Sequence, residues 1–185
     1  AIGGAFGGRE DTSVQVALAV AAHKLRRPVK TVWSREESIR GHGKRHAITI
    51  RHTWGARRDG TLQAAKIEII SDAGAYNYTS SEVLANFLYS AVGAYRFEHA
   101  QIDGVAAYTN NVPGCAFRGF GSPQSTFAAE MMIARLGEAV GLDPITIRLR
   151  NCVRTGDKLI TGSPLVGPVS LVELIEACAA RAGAV

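Results

Sequence analysis

The sequence predicts an α+β fold, with helices and strands in mixed α/β layers. Residues 46–57 and 61–71 alternate apolar and polar side chains, the period of a half-buried strand, and Asp59-Gly60 between them is a hairpin turn signal. Other segments repeat apolar residues at helical spacing behind polar or proline start signals. The two kinds of element do not alternate strictly, which argues against a doubly wound parallel sheet of the dinucleotide-binding type.

Taken in order, residues 12–26 predict a helix with an apolar stripe of Val14, Leu18, Ala21 and Leu25. Thr12 with Gln15 is the expected capping box, His23 complements the dipole near the end, and Pro28 stops the helix. Residues 29–33 read as a strand, and Ser34 with Glu37 as the cap of a short helical turn. In the hairpin, Ile48, Ile50, His52 and Trp54 share one face, which Ala65, Ile67 and Ile69 continue on the return strand. Residues 72–95 give a weaker signal: 74–78 look irregular, with Asp72 suited to cap a turn, and 82–91 suit a helix; 100–109 resemble another strand. Ser122-Pro123 starts a helix whose buried side is expected at Phe127, Met131, Ala134 and Leu136. Asp143-Pro144 starts the next, to about Asn151; 154–168 is loop; Ser170 with Glu173 caps the last, to about Ala180.

A length of 185 residues suits one domain, residues 1–185, and the 46% apolar content suffices for a core. A start at Ala1 inside a glycine motif, and an end at Val185 soon after the last helix that looks cut rather than finished, lead us to expect a partial domain of a longer subunit, with parts upstream and downstream. No stretch approaches the roughly 20 apolar residues of a membrane span. The net charge of +5 is concentrated at Arg35, Arg40, Lys44, Arg45, Arg51, Arg57 and Arg58. Aromatic residues do not interleave with these as base-stacking platforms would require, so a solvated face or a surface that meets an acidic partner is expected rather than nucleic-acid binding. Cys115, Cys152 and Cys178 are widely spaced and odd in number; they fit a reducing cytoplasm better than a disulfide framework.

Two stretches stand out chemically. "GGAFGGRED", residues 3–11, sets Phe6 among four glycines and then places a carboxylate, Glu10, ahead of a helix start. "GCAFRGFGSPQ", residues 114–124, sets Phe117, Arg118 and Phe120 among glycines ahead of another. Glycines let backbone approach a bulky group, and a helix N-terminus favours an anion. The first loop lacks the Gly-Lys-Ser/Thr ending of a Walker A loop; in the second, Gln124 stands where a dinucleotide fingerprint needs glycine. Each alone is compatible with a turn whose phenylalanine packs. As a pair they suit one anionic cofactor, with phenylalanines beside it for a flat substrate. His42 and His46 have the spacing of metal ligands on a helix, but Gly41 and Gly43 argue against a helix there.

These two loops, in this order, resemble the signature loops of the molybdenum-binding subunit or domain of the xanthine dehydrogenase and aldehyde oxidase family. "RPVKTVWSREESIRGHGKRH", "DAGAY", "YTNNVPGCAFRGFG" and "VGLDPITIRLRN" extend the resemblance from residue 1 to about 163. The Arg9-Glu10-Asp11 variant resembles bacterial xanthine dehydrogenases with a separate molybdenum subunit. The resemblance implies a molybdopterin-bound molybdenum that oxidises an electron-poor carbon with water as oxygen source. It also implies iron–sulfur (2Fe-2S) and FAD partner subunits or domains, and an oligomer of heteromers. By position in the loops, Phe6, Gly7 and Arg118 match cofactor contacts, with Phe6 and Arg118 in the molybdenum environment. Glu10, Ala116, Phe117 and Phe120 match substrate contacts. No catalytic residue is expected within the chain, because the family's general-base glutamate lies beyond Val185.

One departure bears on substrate. Where animal xanthine dehydrogenases carry a second substrate-orienting arginine, this chain has Asn86. That departure weakens the case for urate-forming chemistry as those enzymes practise it, while Glu10 favours a heterocycle with ring N–H groups; the resemblance implies hydroxylation of a purine or related N-heterocycle, with aldehydes or other aromatics as the alternative. A non-catalytic nucleotide-binding module is a second alternative.

Overall fold

The structure, a computed structural model, describes residues 3–183. Helices α1 (Ser13–Leu25) and α2 (Arg35–Gly41) precede a hairpin of β1 (Ile48–Ala56) and β2 (Leu62–Gly74). Then follow α3 (Ser80–Tyr89), β3 (His99–Tyr108), α4 (Ser122–Val140), α5 (Pro144–Asn151) and α6 (Leu171–Arg181). The sheet has the order β1-β2-β3. β2 and β3 run parallel: Gln63 meets Glu98 near one end, and the Thr109 N–H donates to Gly74 O at the other, with the same sequence offset. A parallel pair needs a crossover, which α3 supplies. Helices beside a mixed sheet are the expected α+β arrangement.

The chain divides into two compact units. The first comprises residues 1–49, 70–85 and 105–121, and holds both glycine–aromatic loops. The second comprises 50–69, 86–104 and 122–185. Its core is large and apolar: Leu62, Tyr95, Ile133 and Ile147, with Trp54 and Phe97 packed against them. The hairpin closes as its residues dictate, with Gly60 at φ 87°, its N–H bonded to Arg57 O, and Asp59 accepting from the Thr61 N–H. The side chains of β1 alternate half-buried and exposed along its whole length, and Ala65, Ile67 and Ile69 are buried on β2.

Several local expectations need correction. Residues 29–33 join no strand ladder; Val32 is exposed, and an extended stretch without a partner is not a strand. Thr12 and Ser170 make no side-chain cap, since both have backbone angles outside the extended region a cap requires. Ser34 and Glu37 do form a reciprocal capping box, and Asp143 caps α5 by accepting from Ile145 and Thr146 N–H. Leu25 on α1 is exposed. On α4 the buried residues are Ser125, Ala129, Ile133 and Gly137, whereas Phe127 is 69% exposed and Met131 is also outside. Close packing selects the small side chains: a Cβ on Gly137 would stand 3.2 Å from Ile147 Cγ2, and one on Gly93 3.2 Å from Ala129 Cβ.

Candidate functional site

Both loops bend through left-handed backbone. Phe6 and Gly7 have φ 51° and 95°; Gly119, Phe120 and Gly121 have 93°, 48° and 97°. For a phenylalanine this conformation costs on the order of 1–3 kcal/mol and persists only where the surroundings enforce it. The enforcement is mutual. The Arg118 N–H donates to Phe6 O at 2.9 Å, so the two loops are hydrogen-bonded at the residues singled out in the sequence. Gly7 lies directly against the second loop: a Cβ there would stand 2.4 Å from Ala116 O. The Cys115 thiol reaches Gly7 O at 3.7 Å, and the Phe120 N–H closes a turn onto Phe117 O.

The join carries exposed aromatic and charged groups. Phe6 is 60% exposed and Phe117 49%; Arg118 and Glu10 are exposed, Phe120 is half-buried, and Ala116 is buried as the floor of the second loop. Glu10 makes itself felt at that floor: burial chiefly, then the charges of Asp11 and Glu10, push the Cys115 thiol up. Asn86 belongs to the other unit, where its amide donates to Ser122 Oγ.

A third segment, residues 42–46, ties the loops together, and sequence reasoning did not find it. Asp11, its side chain 1% exposed, accepts from the Ser13 N–H and hydroxyl and from the Gly43 N–H. Burial pushes the Asp11 carboxyl up, but the bonds from Ser13 and Gly43, with the nearby His42, outweigh it and leave it below the ordinary 3.8. His42 Nε2 lies 3.2 Å from Gly8 O. On the other side Lys44 pairs with the second loop, its N–H donating to Pro113 O and its carbonyl accepting from the Cys115 N–H. The Lys44 ammonium donates to Ser38 O and His42 O, which fixes the turn. Arg45 donates to Arg118 O at 2.7 Å, and its guanidinium carbon stands 4.4 Å from the Phe117 ring centroid. His46 is buried, 2.8 Å from Ser80 Oγ, so it and His42 serve different neighbours rather than one ion. The signal in the sequence was Gly43: a Cβ there would stand 2.3 Å from Cys115 Cβ.

Asp72 steadies the base of the second loop. It accepts from the Gly74 N–H, the Thr109 hydroxyl and the Asn111 amide, bonds that hold its carboxyl below the usual range, those of Thr109 and Asn111 foremost. The residues present suit a large anionic group with a flat partner: the cationic Arg118, exposed phenylalanine faces, and backbone bent so that little bulk screens it.

A model of the molybdopterin cofactor-binding domain matches residues 1–152. The nicotinate dehydrogenase large molybdopterin subunit of Eubacterium barkeri is 41% identical over 174 residues, covering 94% of this chain and 41% of its own. The xanthine dehydrogenase molybdenum-binding subunit of Escherichia coli O157:H7 is 36% identical, covering 90% of this chain and 22% of its own. Among solved structures, the aldehyde oxidoreductase of Desulfovibrio gigas superposes with a TM-score of 0.90 at 31% identity, covering 99% of this chain and 20% of its own. The chain thus spans less than half the length of these relatives.

Proposed function

The chain belongs to the molybdopterin cofactor-binding domain family, and we propose that it forms part of a molybdenum hydroxylase acting on a purine or related N-heterocycle with water as the oxygen source. The observation that carries this reading is the hydrogen bond from the Arg118 N–H to Phe6 O, which brings both glycine–aromatic loops to one place. When bound, the cofactor supplies the two-electron oxidation. In this reading Phe6, Gly7 and Arg118 form its protein wall, Arg118 adding positive charge beside an anionic pterin. Phe117 and Phe120 offer ring faces to a flat substrate above Ala116. Glu10, an exposed carboxylate, accepts from ring N–H groups and turns the heterocycle to one orientation.

In the same reading, residues 1–185 are one partial domain of a longer subunit, the general-base glutamate lies outside them, and electrons leave through 2Fe-2S and FAD partners of a heteromeric, cytoplasmic enzyme. Among the described residues no helix is long and apolar enough to cross a membrane.

Glu10 favours the heterocycle over an aldehyde, which has no ring N–H to offer. The relative named for nicotinate is the reason to include that compound in the test. Steady-state turnover of xanthine, nicotinate and benzaldehyde by the complete enzyme decides: preference for xanthine, which offers ring N–H groups to Glu10, is expected; preference for nicotinate, whose ring nitrogen carries no hydrogen at neutral pH, keeps the heterocycle but removes the role of Glu10; preference for benzaldehyde replaces this reading with the aldehyde one. Metal analysis separates both from a nucleotide-binding module, since a hydroxylase contains molybdenum and iron.

A further inference from the structure

We propose that Arg45 is a positioning residue that holds the Phe117 ring and the Arg118 carbonyl in one attitude, and so sets how the second loop meets a planar ligand. The inference rests on the reading under Proposed function for the nature of that ligand, but its geometry does not. Phe117 is half exposed, on a loop with glycines at 114, 119 and 121. A ring in that setting has rotamer freedom, and ordering it on ligand binding carries an entropic cost. Arg45 removes that freedom beforehand. Its guanidinium covers the ring at 4.4 Å and donates to the next residue's carbonyl at 2.7 Å, so one planar group fixes side chain and backbone together.

The main chain that carries this guanidinium is itself anchored. Arg45 follows Lys44, whose N–H and carbonyl both pair with the 113–115 segment. Its main chain therefore starts from a fixed point beside the loop it reaches into. A lysine carries a compact charge without the flat fork, and cannot stack on the ring and direct a bond to the carbonyl in the same way. Arg45 is thus predicted to act on ligand binding through Phe117, without touching the reacting atoms.

The test uses the intact enzyme with its partner subunits, carrying para-fluorophenylalanine at position 117. The parent is expected to give a single narrow fluorine NMR resonance. Arg45→Gln should shift it and broaden or split it, and Arg45→Lys should give an intermediate spectrum. A resonance unchanged in Arg45→Gln overturns the proposal; if that variant does not fold, an unchanged resonance in Arg45→Lys does the same. In turnover, Arg45→Gln should raise KM for a flat heterocycle about 3- to 10-fold, leave kcat within about twofold, and leave KM for acetaldehyde unchanged. An equal KM rise for flat and aliphatic substrates, or a fall in kcat alone, overturns it as well. Metal analysis of the parent is a separate readout: a protein without molybdenum removes the hydroxylase reading, while the fluorine spectrum still decides the role of Arg45.

Discussion

The two compact units are held together by different physics. In the unit of residues 50–69, 86–104 and 122–185, the buried side chains are large and apolar, among them Ile67, Ile69, Phe87, Ile133 and Ile147. In the unit that carries the loops, many are small or polar: Asp11, His46, Ser71, Ala73, Ser80, Cys115 and Ala116. Loops that leave Phe6 and Phe117 exposed do not bury them as a core. Their shape is maintained by hydrogen bonds to main chain: Asp11 and Asp72 accept from backbone N–H groups, and Lys44 and Arg45 donate to backbone carbonyls. Apolar burial tolerates a change of shape if volume is kept; directed bonds and close backbone approach do not.

The largest effect that tests this contrast is Ile133→Ala. The side chain is fully buried against Leu62, Tyr95 and Ile147, and its truncation is expected to cost about 3–5 kcal/mol in chemical denaturation. Amide exchange should accelerate first in α4 and α5. If the loss is under about 1 kcal/mol, the apolar account of this unit is wrong. Gly7→Ala should come next. Its backbone conformation alone costs roughly 1–3 kcal/mol for a residue with a side chain, and the new Cβ meets Ala116 O. The expected readout is local: fast exchange of the Arg118 amide, whose bond to Phe6 O is broken, with the protection of Ile133 and Ile147 retained.

What the sequence made legible follows the same division. The hairpin was readable because burial alternates residue by residue along β1, and Asp59-Gly60 is a local turn signal. The two loops were readable because glycines beside aromatics are a compositional oddity. The 42–46 segment was not, because its bonds run to residues more than thirty positions away and to backbone atoms, which leave no mark on side-chain pattern. The inner face of α4 was misread for the opposite reason. Reading Phe127 and Met131 as buried assumes that large residues face inward, whereas this helix packs close and admits serine, alanine and glycine.

The histidines sharpen the comparison at smaller cost. His46 and His52 both have values below the ordinary 6.5, each through burial, with Asp72 opposing the shift at His46. The folded state therefore favours the neutral ring. Stability is complete above about 6.5 and falls as pH drops from there toward the lowered folded values, because the unfolded chain then binds more protons. The two differ in what the ring does. His46 faces Ser80 Oγ, so His46→Phe should destabilise at neutral pH by about 1–3 kcal/mol, leaving a buried hydroxyl without its partner, and the loss should shrink below 6.5, where the wild-type ring itself loses stability. His52 has no hydrogen-bond partner at either nitrogen and stacks on Trp54. His52→Phe should leave neutral-pH stability unchanged or higher and remove the part of the acid sensitivity below 6.5 that His52 contributes. Equal losses from both variants would erase the distinction between a polar and an apolar interior.

The smallest effect lies at two helix starts of similar sequence appearance. Ser34 accepts from the Glu37 N–H at 3.2 Å, and the Glu37 carboxylate accepts from the Ser34 N–H at 2.7 Å. Thr12 makes no side-chain cap, and the first turn of α1 is served instead by Asp11 through Ser13. Ser34→Ala should therefore speed amide exchange in the first turn of α2 roughly fivefold, the ordinary worth of a cap. Thr12→Ala should leave α1 unaffected. The asymmetry has a cause in the loop itself: Asp11 must reach Gly43 as well as Ser13, and that demand, rather than local capping preference, places Thr12 at φ −105° and ψ 12°. Equal acceleration at both helix starts would show that Asp11 does not govern the entry to α1, and the claim that directed bonds shape this unit would lose its most local support.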